Sequence, residues 1–207
     1  MLRFIGFGHR RQMGKDSAAH QLRFLMDTRH QHVRVECKAF ADPIYETCNK
    51  LYGWDGFANK AYYDICPEKK NILLPTIGKT PRELLIDVGT PAFRDNVWRE
   101  TWVEYMMHLY PRGLDRLILI TDVRFPNEMA AIKREGGFCI KVTRPGIPLS
   151  NDVADTALEG AEFDAEILND GNLDDLGEDT LKVVEFLVSP NYGSIRKWVM
   201  GGDKCRE

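Results

Sequence analysis

The segment Gly8-His-Arg-Arg-Gln-Met-Gly14-Lys15-Asp16-Ser17 carries the residue types that hold a phosphate. A phosphate asks for backbone N–H groups at a helix N-terminus, for glycines that let the backbone come close, and for a lysine to neutralise its outer oxygens. All three are available here, and Arg10 and Arg11 add charge. The segment departs from G-x-x-x-x-G-K-[ST] in two ways: five residues separate the glycines, and Asp16 follows the lysine. The competing reading is a basic turn ahead of an ordinary amphipathic helix. A second group is Asp122-Val-Arg124-Phe-Pro-Asn-Glu128, directly after an apolar run. An acid there can hold Mg²⁺ or its water shell, and an arginine can grip a phosphate with its planar fork. Otherwise Asp122 caps the next turn and Arg124 is solvated. Arg82, Arg94, Arg99 and Arg144 form a third group, because phosphoryl transfer is largely positioning and charge neutralisation. Arg82 follows Thr80-Pro81 and Arg94 follows Gly89-Thr90-Pro91, places where anions are met. His20, His30, His32 and His108 show no metal-ligand spacing and are expected in core or surface roles. Phe40 and Trp54 either stack a base or pack.

These residues need elements to hold them. Leu2 to Phe7 is short and apolar ahead of Gly8 and reads as a buried strand, and Ala18, Ala19, Leu22 and Leu25 at helical spacing carry a helix from about Gly14 to Asp27. Val33 to Cys37 alternates as a second strand. Asp42-Pro43 opens a helix, as does Thr80-Pro81-Arg82-Glu83 with its Thr cap and Pro at the first position. Gly53 to Lys70 is expected to be an irregular, mobile insertion. A long helix is expected over Val97 to Leu109, with Trp98, Trp102, Tyr105 and Met106 as core side chains. Asp115 to Asp122 holds four consecutive branched apolar residues and predicts a strand buried on both faces of a parallel sheet. Asn127 to Glu135 is a helix ended by Gly136-Gly137, Phe138 to Thr143 and Ala165 to Leu168 are strands, and Leu173 to Val188 is the closing helix. Strands alternating with helices predict an α/β sheet with right-handed crossovers. Ser189 to Glu207 is expected to be a partly disordered tail.

With 207 residues, 43% of them apolar, the chain has material for one substantial core. A net charge of −3 lacks the basic excess of nucleic-acid binders. No Lys or Arg stands between Pro145 and Leu181, while eleven acids fall between Asp152 and Asp179, a segment that should repel phosphodiester backbones. Arg3, His9, Arg10, Arg11 and Lys15 gather positive charge around the first loop, where an anion is expected. The five cysteines show no CxxC spacing, which suggests reduced thiols in a cytoplasm rather than disulfides or zinc. MLRFIGFG lacks a signal-peptide apolar region and no long apolar run exists, so neither export nor membrane spanning is expected.

Taken in order, Gly14-Lys-Asp-Ser17, Ala39-Phe-Ala-Asp-Pro43, Lys79-Thr-Pro-Arg-Glu-Leu-Leu85, Thr121-Asp-Val-Arg-Phe-Pro-Asn-Glu128, Val142-Thr-Arg-Pro145 and Asn169-Asp-Gly-Asn-Leu-Asp-Asp-Leu176 resemble the deoxynucleoside monophosphate kinases of bacteriophages. The resemblance implies a P-loop NTPase-like three-layer fold: a central parallel sheet flanked by helices in one kinase domain over 1–188. Small insertions would form an NMP-binding region at about 38–110 and a lid at about 144–164, with 189–207 as tail. It implies transfer of the γ-phosphoryl group of ATP to a deoxynucleoside monophosphate, with Mg²⁺, in the cytoplasm, that of the infected host for a phage-encoded chain. It leaves room for a homodimer and implies no nucleic-acid or membrane partner. Gly8, Arg10, Met13, Gly14, Lys15, Asp16 and Ser17 would take the ATP phosphates, and Asn169 and Asp170 the adenine. Lys38, Phe40, Asp42, Arg82, Arg94, Arg124 and Glu128 would take the dNMP, and Asp16, Ser17 and Asp122 the metal. Lys15, Arg124, Arg11 and Arg144 would be catalytic, with Arg10 or Arg11 supplying the cation that an acidic lid lacks. A P-loop kinase of another small metabolite and a catalytically silent nucleotide-binding protein are the other readings.

Overall fold

Leu117, Ile118, Leu119 and Ile120 are fully buried in β3 (Arg116–Val123). An apolar run without alternation is what a strand covered on both faces requires. In the computed structural model, which describes residues 4–29, 34–111, 116–148 and 153–192, β3 lies between β2 (Arg34–Lys38) and β1 (Phe4–Gly8), and the sheet continues through β4 (Phe138–Thr143) to β5 (Ala165–Leu168). All four pairings are parallel. The order β2-β3-β1-β4-β5 puts β1 at the centre, with the loop after it at the carboxyl edge, where α/β sheets bind ligands.

The two faces of β1 are covered differently. Ile5 and Phe7 join Ala18, Ala19, Leu22 and Met26 of α1 (Lys15–Arg29) and Leu181, Val184 and Val188 of α8 (Leu173–Tyr192) in one core. On the other face a Cβ at Gly6 would sit 2.6 Å from Cδ1 of Ile132, in α6 (Pro126–Arg134), so only glycine allows this close packing of helix on strand. The result is a three-layer α/β arrangement. The chain divides into this unit, Met1–Ala39 with Met107–Glu207, and a second, Phe40–Met106.

The second unit is helical. It contains α2 (Asp42–Tyr52), α3 (Lys60–Ile65) and α4 (Pro81–Asp87), and the first part of α5 (Thr101–Leu109). Its Thr80 start has the expected cap: Thr80 Oγ1 accepts from Glu83 N, and the Glu83 carboxylate accepts from Thr80 N at 2.8 Å. Gly53 to Lys70 is not irregular. Asn59 caps α3 by accepting from Tyr62 N at 2.9 Å, and Phe57 and Tyr63 stand edge to face at 5.4 Å, in a core with Cys48, Leu74, Leu84 and Val88. The aromatic content that suggested a mobile insertion is that core.

The helix expected from Val97 begins at Thr101. Residues Val88–Asp95 form a π-helix containing Pro91, and Phe93 O accepts from both Val97 N and Trp98 N, which ends it before α5 starts. Trp98 is 55% exposed and Tyr105 is exposed, so neither is the core side chain that helical spacing suggested. Trp102 packs inward, its ring 4.9 Å from that of Phe93 and its Nε1 donating to Gly89 O at 2.9 Å. α1 runs two residues further than expected and α8 continues to Tyr192, past Val188. The strand residues Val33 and Asp115, as well as Arg3, His30, His32, Cys205 and the tail from 193, lie outside the described residues. The described cysteines are free, and burial pushes the Cys37 and Cys48 thiols up to about 11 and that of Cys139 to about 12. Among the described residues no helix is long and apolar enough to cross a membrane.

Candidate functional site

β1 ends at Gly8, whose Cβ, if it had one, would lie 2.6 Å from the Phe163 ring. The loop that follows turns through positive φ at His9 (104°), Gln12 (61°) and Gly14 (96°) before α1 begins at Lys15. Gly14 is required twice over, by its φ and by Asn169, whose Nδ2 would be 2.3 Å from a Cβ there. Met13 points into the core beneath α1, and its carbonyl accepts from Asn169 Nδ2 at 3.0 Å. Asn169 and Asp170 are the residues expected at adenine; Asn169 also holds the loop through this bond, and Asp170 is exposed.

Lys15 is only 4% exposed. Its ammonium donates to His9 O at 3.0 Å and to Arg10 O. Burial pushes its pKa down to about 8 and the Arg124 guanidinium pushes the same way, against the attraction of Asp16, Asp122 and Asp155. Asp122 lies near the end of β3, and Gly8 pairs with Val123 beside it. His9 is held below its ordinary pKa by burial and by Lys141, Arg10 and Lys15. Its Nδ1 and Arg10 Nε are buried without a hydrogen-bond partner among the described residues.

The strongest cluster involves an acid that the sequence did not single out. Asp155, in the four-residue helix α7 (Val153–Thr156), is 4% exposed. It accepts from Arg11 N at 2.9 Å and Arg11 Nε at 3.1 Å, and Arg124 Nη1 stands 3.5 Å away. Glu159, four residues on, pairs with Arg10. Only the run of acids without a cation hinted at this, and that pattern does not say which acid turns inward. Arg124 is held from behind: its N and that of Phe125 donate to Glu128 Oε2 at 2.6 and 3.0 Å, so the buried Glu128 carboxylate caps α6.

The remaining expected residues fall in both units. Asp16 is exposed and Ser17 half-buried in the first turn of α1, and Arg144 is exposed just beyond β4. Lys38, at the end of β2, stands 3.7 Å from Glu36 and 5.9 Å from the Tyr110 ring centroid. Within the second unit Phe40 is buried, Asp42 lies 3.6 Å from Lys60, Arg82 Nε donates to Asn71 at 2.9 Å, and Arg94 is half-buried in the π-helix. Trp54 is exposed and donates to Leu51 O. That unit also has a cavity of about 360 Å³ lined by Asp55, Tyr62, Tyr63, Lys69 and Pro81 among others, with none of the expected acceptor residues in its wall.

The loop, Lys15, Arg10, Arg11 and Arg124 thus form a partly buried cationic cradle at a strand-to-helix junction, chemistry suited to a phosphate oxyanion. Two solved structures of the Mycobacterium tuberculosis APS kinase, a cysteine-to-alanine mutant and a complex with AMPPNP and APS, align with 89% of this chain and with 97% and 98% of theirs, at 10% and 12% identity and TM-scores of 0.40 and 0.41. A putative deoxynucleotide monophosphate kinase of Acanthamoeba polyphaga mimivirus is 31% identical over 121 residues, 53% of this chain and 61% of that protein, so the match spans about three fifths of the relative. The family model for deoxynucleotide monophosphate kinase matches residues 69–180, which include Arg82, Arg94, Asp122, Arg124, Arg144, Asp155 and Asn169 but not the loop of residues 8–17. With more than half its length under that model, the chain belongs to the deoxynucleotide monophosphate kinase family.

Proposed function

We propose that this chain transfers the γ-phosphoryl group of ATP to a deoxynucleoside 5′-monophosphate, giving the diphosphate and ADP. The observation that carries the proposal is Lys15, a buried ammonium at the end of a strand-to-helix loop with the Arg124 guanidinium close enough to depress its pKa. Two cations forced together in a buried site are tolerated when a polyanion is their normal partner. Family membership supports the acceptor class.

In this reading the loop amides and Lys15 hold the β- and γ-phosphates, Arg124 sits between donor and acceptor phosphates, and Arg10, Arg11 and Arg144 neutralise the charge that spreads over the γ-oxygens. An acceptor phosphate oxygen bonds to the γ-phosphorus as its bond to the β,γ-bridging oxygen breaks, and ADP leaves with that electron pair. Lys38, Phe40, Asp42, Arg82 and Arg94 are assigned to the acceptor. For Mg²⁺, the donors Asp16, Ser17 and Asp122 are hard oxygens. Such side chains would hold the ion together with the nucleotide phosphates, where it would supply charge neutralisation on the phosphoryl oxygens. The free thiols and the acidic segment from Asp152 to Asp179 support a cytoplasmic small-molecule enzyme.

ADP formation measured with and without each dNMP tests this. Acceptor-stimulated turnover is expected with at least one, and Lys15→Met is expected to lower it about a hundredfold, some 3 kcal/mol of transition-state stabilisation. No stimulation by any dNMP would sink the proposal.

A further inference from the structure

The acids of the segment after β4 do more than avoid cations. Asp155 takes the backbone N–H of Arg11, the Arg11 guanidinium and the Arg124 guanidinium on one carboxylate, while Glu159 takes Arg10. A strut that only oriented the arginine side chains would have no need of a loop amide. Backbone N–H groups of such a loop are donors for phosphate oxygens, and a donor given to a carboxylate is not given to a phosphate. Lys15 donates to the loop's own carbonyls at His9 and Arg10. We infer that the Asp155 carboxylate is a built-in occupant of the anion cradle formed by Arg11 and Arg124, and that a nucleotide's phosphates must displace it.

Gly160 (φ +77°), four residues beyond α7, has no atom within 4 Å of where a Cβ would be. The backbone can turn there without side-chain resistance. The occupant is anionic like the ligand, and occupant and ligand cannot use the same donors together. Apparent affinity therefore falls by the fraction of molecules in which the cradle is open.

The inference rests on the proposed function only in taking the cradle as the nucleotide's phosphate site, and inorganic pyrophosphate probes it without any turnover. In calorimetric titrations of the full chain, Asp155→Asn, which keeps an oxygen for Arg11 N but loses the charge, is expected to bind pyrophosphate about tenfold tighter than wild type. Glu178→Gln, the same change of net charge at an exposed acid paired with Arg29, is expected to stay within about twofold, because exposed distant charges are screened. Equal or weaker binding by Asp155→Asn, or no binding to any form, overturns the inference. A wild-type experiment covers the case in which that variant does not fold: saturating pyrophosphate is expected to speed amide exchange in 153–160 while slowing it in 9–14, and slowing in both overturns the inference. Absence of dNMP-stimulated ADP formation alongside tighter pyrophosphate binding would reject the kinase proposal alone. Kinase turnover with unmoved pyrophosphate affinity would reject this inference alone.

Discussion

Nucleotide binding should pull a proton onto Lys15. Its ammonium is buried and crowded by Arg124, which together hold its pKa at about 8 against an ordinary 10.5. At pH 9 about nine tenths of the side chain is then neutral in the ligand-free protein. A bound triphosphate favours the charged form and restores a pKa near the ordinary value, where only a few per cent is neutral. ATP binding should therefore take up about 0.9 proton at pH 9, about 0.5 at pH 8 and about 0.1 at pH 7. Calorimetric titration in buffers of different ionisation enthalpy reads this number directly, since the heat scales with protons drawn from the buffer. ATP itself is fully ionised at pH 9 and contributes none. Lys15→Met should abolish the uptake. Uptake near zero at pH 9 in the wild type, or equal uptake in Lys15→Met, would refute the reasoning. The same shift has a consequence for stability with a definite sign. A folded pKa below the unfolded one means that the unfolded chain binds more protons between pH 8 and 10.5, so the penalty of burying charged Lys15 is relieved as pH rises through that window. Its upper bound is about 3 kcal/mol, seen as the difference in pH dependence between wild type and Lys15→Met.

Gly14→Ala places a methyl at φ +96° and against Asn169 Nδ2, and is expected to cost about 2 kcal/mol or more in chemical denaturation. Adding Asn169→Ala should recover the part due to the clash, so the two changes will not be additive. Thr80→Ala removes the hydroxyl that accepts from Glu83 N and should lower stability by about 1 kcal/mol, read as a shift in the denaturation midpoint. Phe57→Ala empties the centre of the second unit's core and should cost about 3 to 5 kcal/mol, read in the same denaturation experiment with circular dichroism.

What the sequence disclosed followed how local each cause was. The strand at Leu117 to Ile120 was legible because double-sided burial demands an unbroken apolar run, and β4 and β5 because turn residues bracket them. The Thr80 start was legible because a capping box is four residues of side-chain chemistry. The helix expected from Val97 starts later because aromatic spacing does not encode that Phe93 O takes two N–H groups and ends the preceding turn. Trp98 fell outside as a result. Met13 joins the core and Asn169 donates to its carbonyl, a pairing across 156 residues of chain that no periodicity encodes. Asp155 lay unnoticed among eleven acids for the same reason: the partner that distinguishes it, Arg11, is 144 residues away.

The lengthened loop also explains why those distant ties exist. A shorter, glycine-rich loop reaches left-handed backbone conformations at little cost. Here His9 and Gln12 adopt positive φ with side chains attached, a strain of roughly 1 to 3 kcal/mol each. Strain of that size persists only where the surroundings over-determine the conformation. Three ties do so: Lys15 holds the carbonyls of His9 and Arg10, Asn169 holds that of Met13, and Asp155 holds the amide and guanidinium of Arg11. Only the first lies within the loop-helix segment itself. Releasing Asp155 leaves Arg11 to find another oxyanion while Asn169 keeps the carboxyl end of the loop in place. The loop's shape is thus fixed at its helix end and negotiable at its arginines, which is where the phosphoryl group would pass.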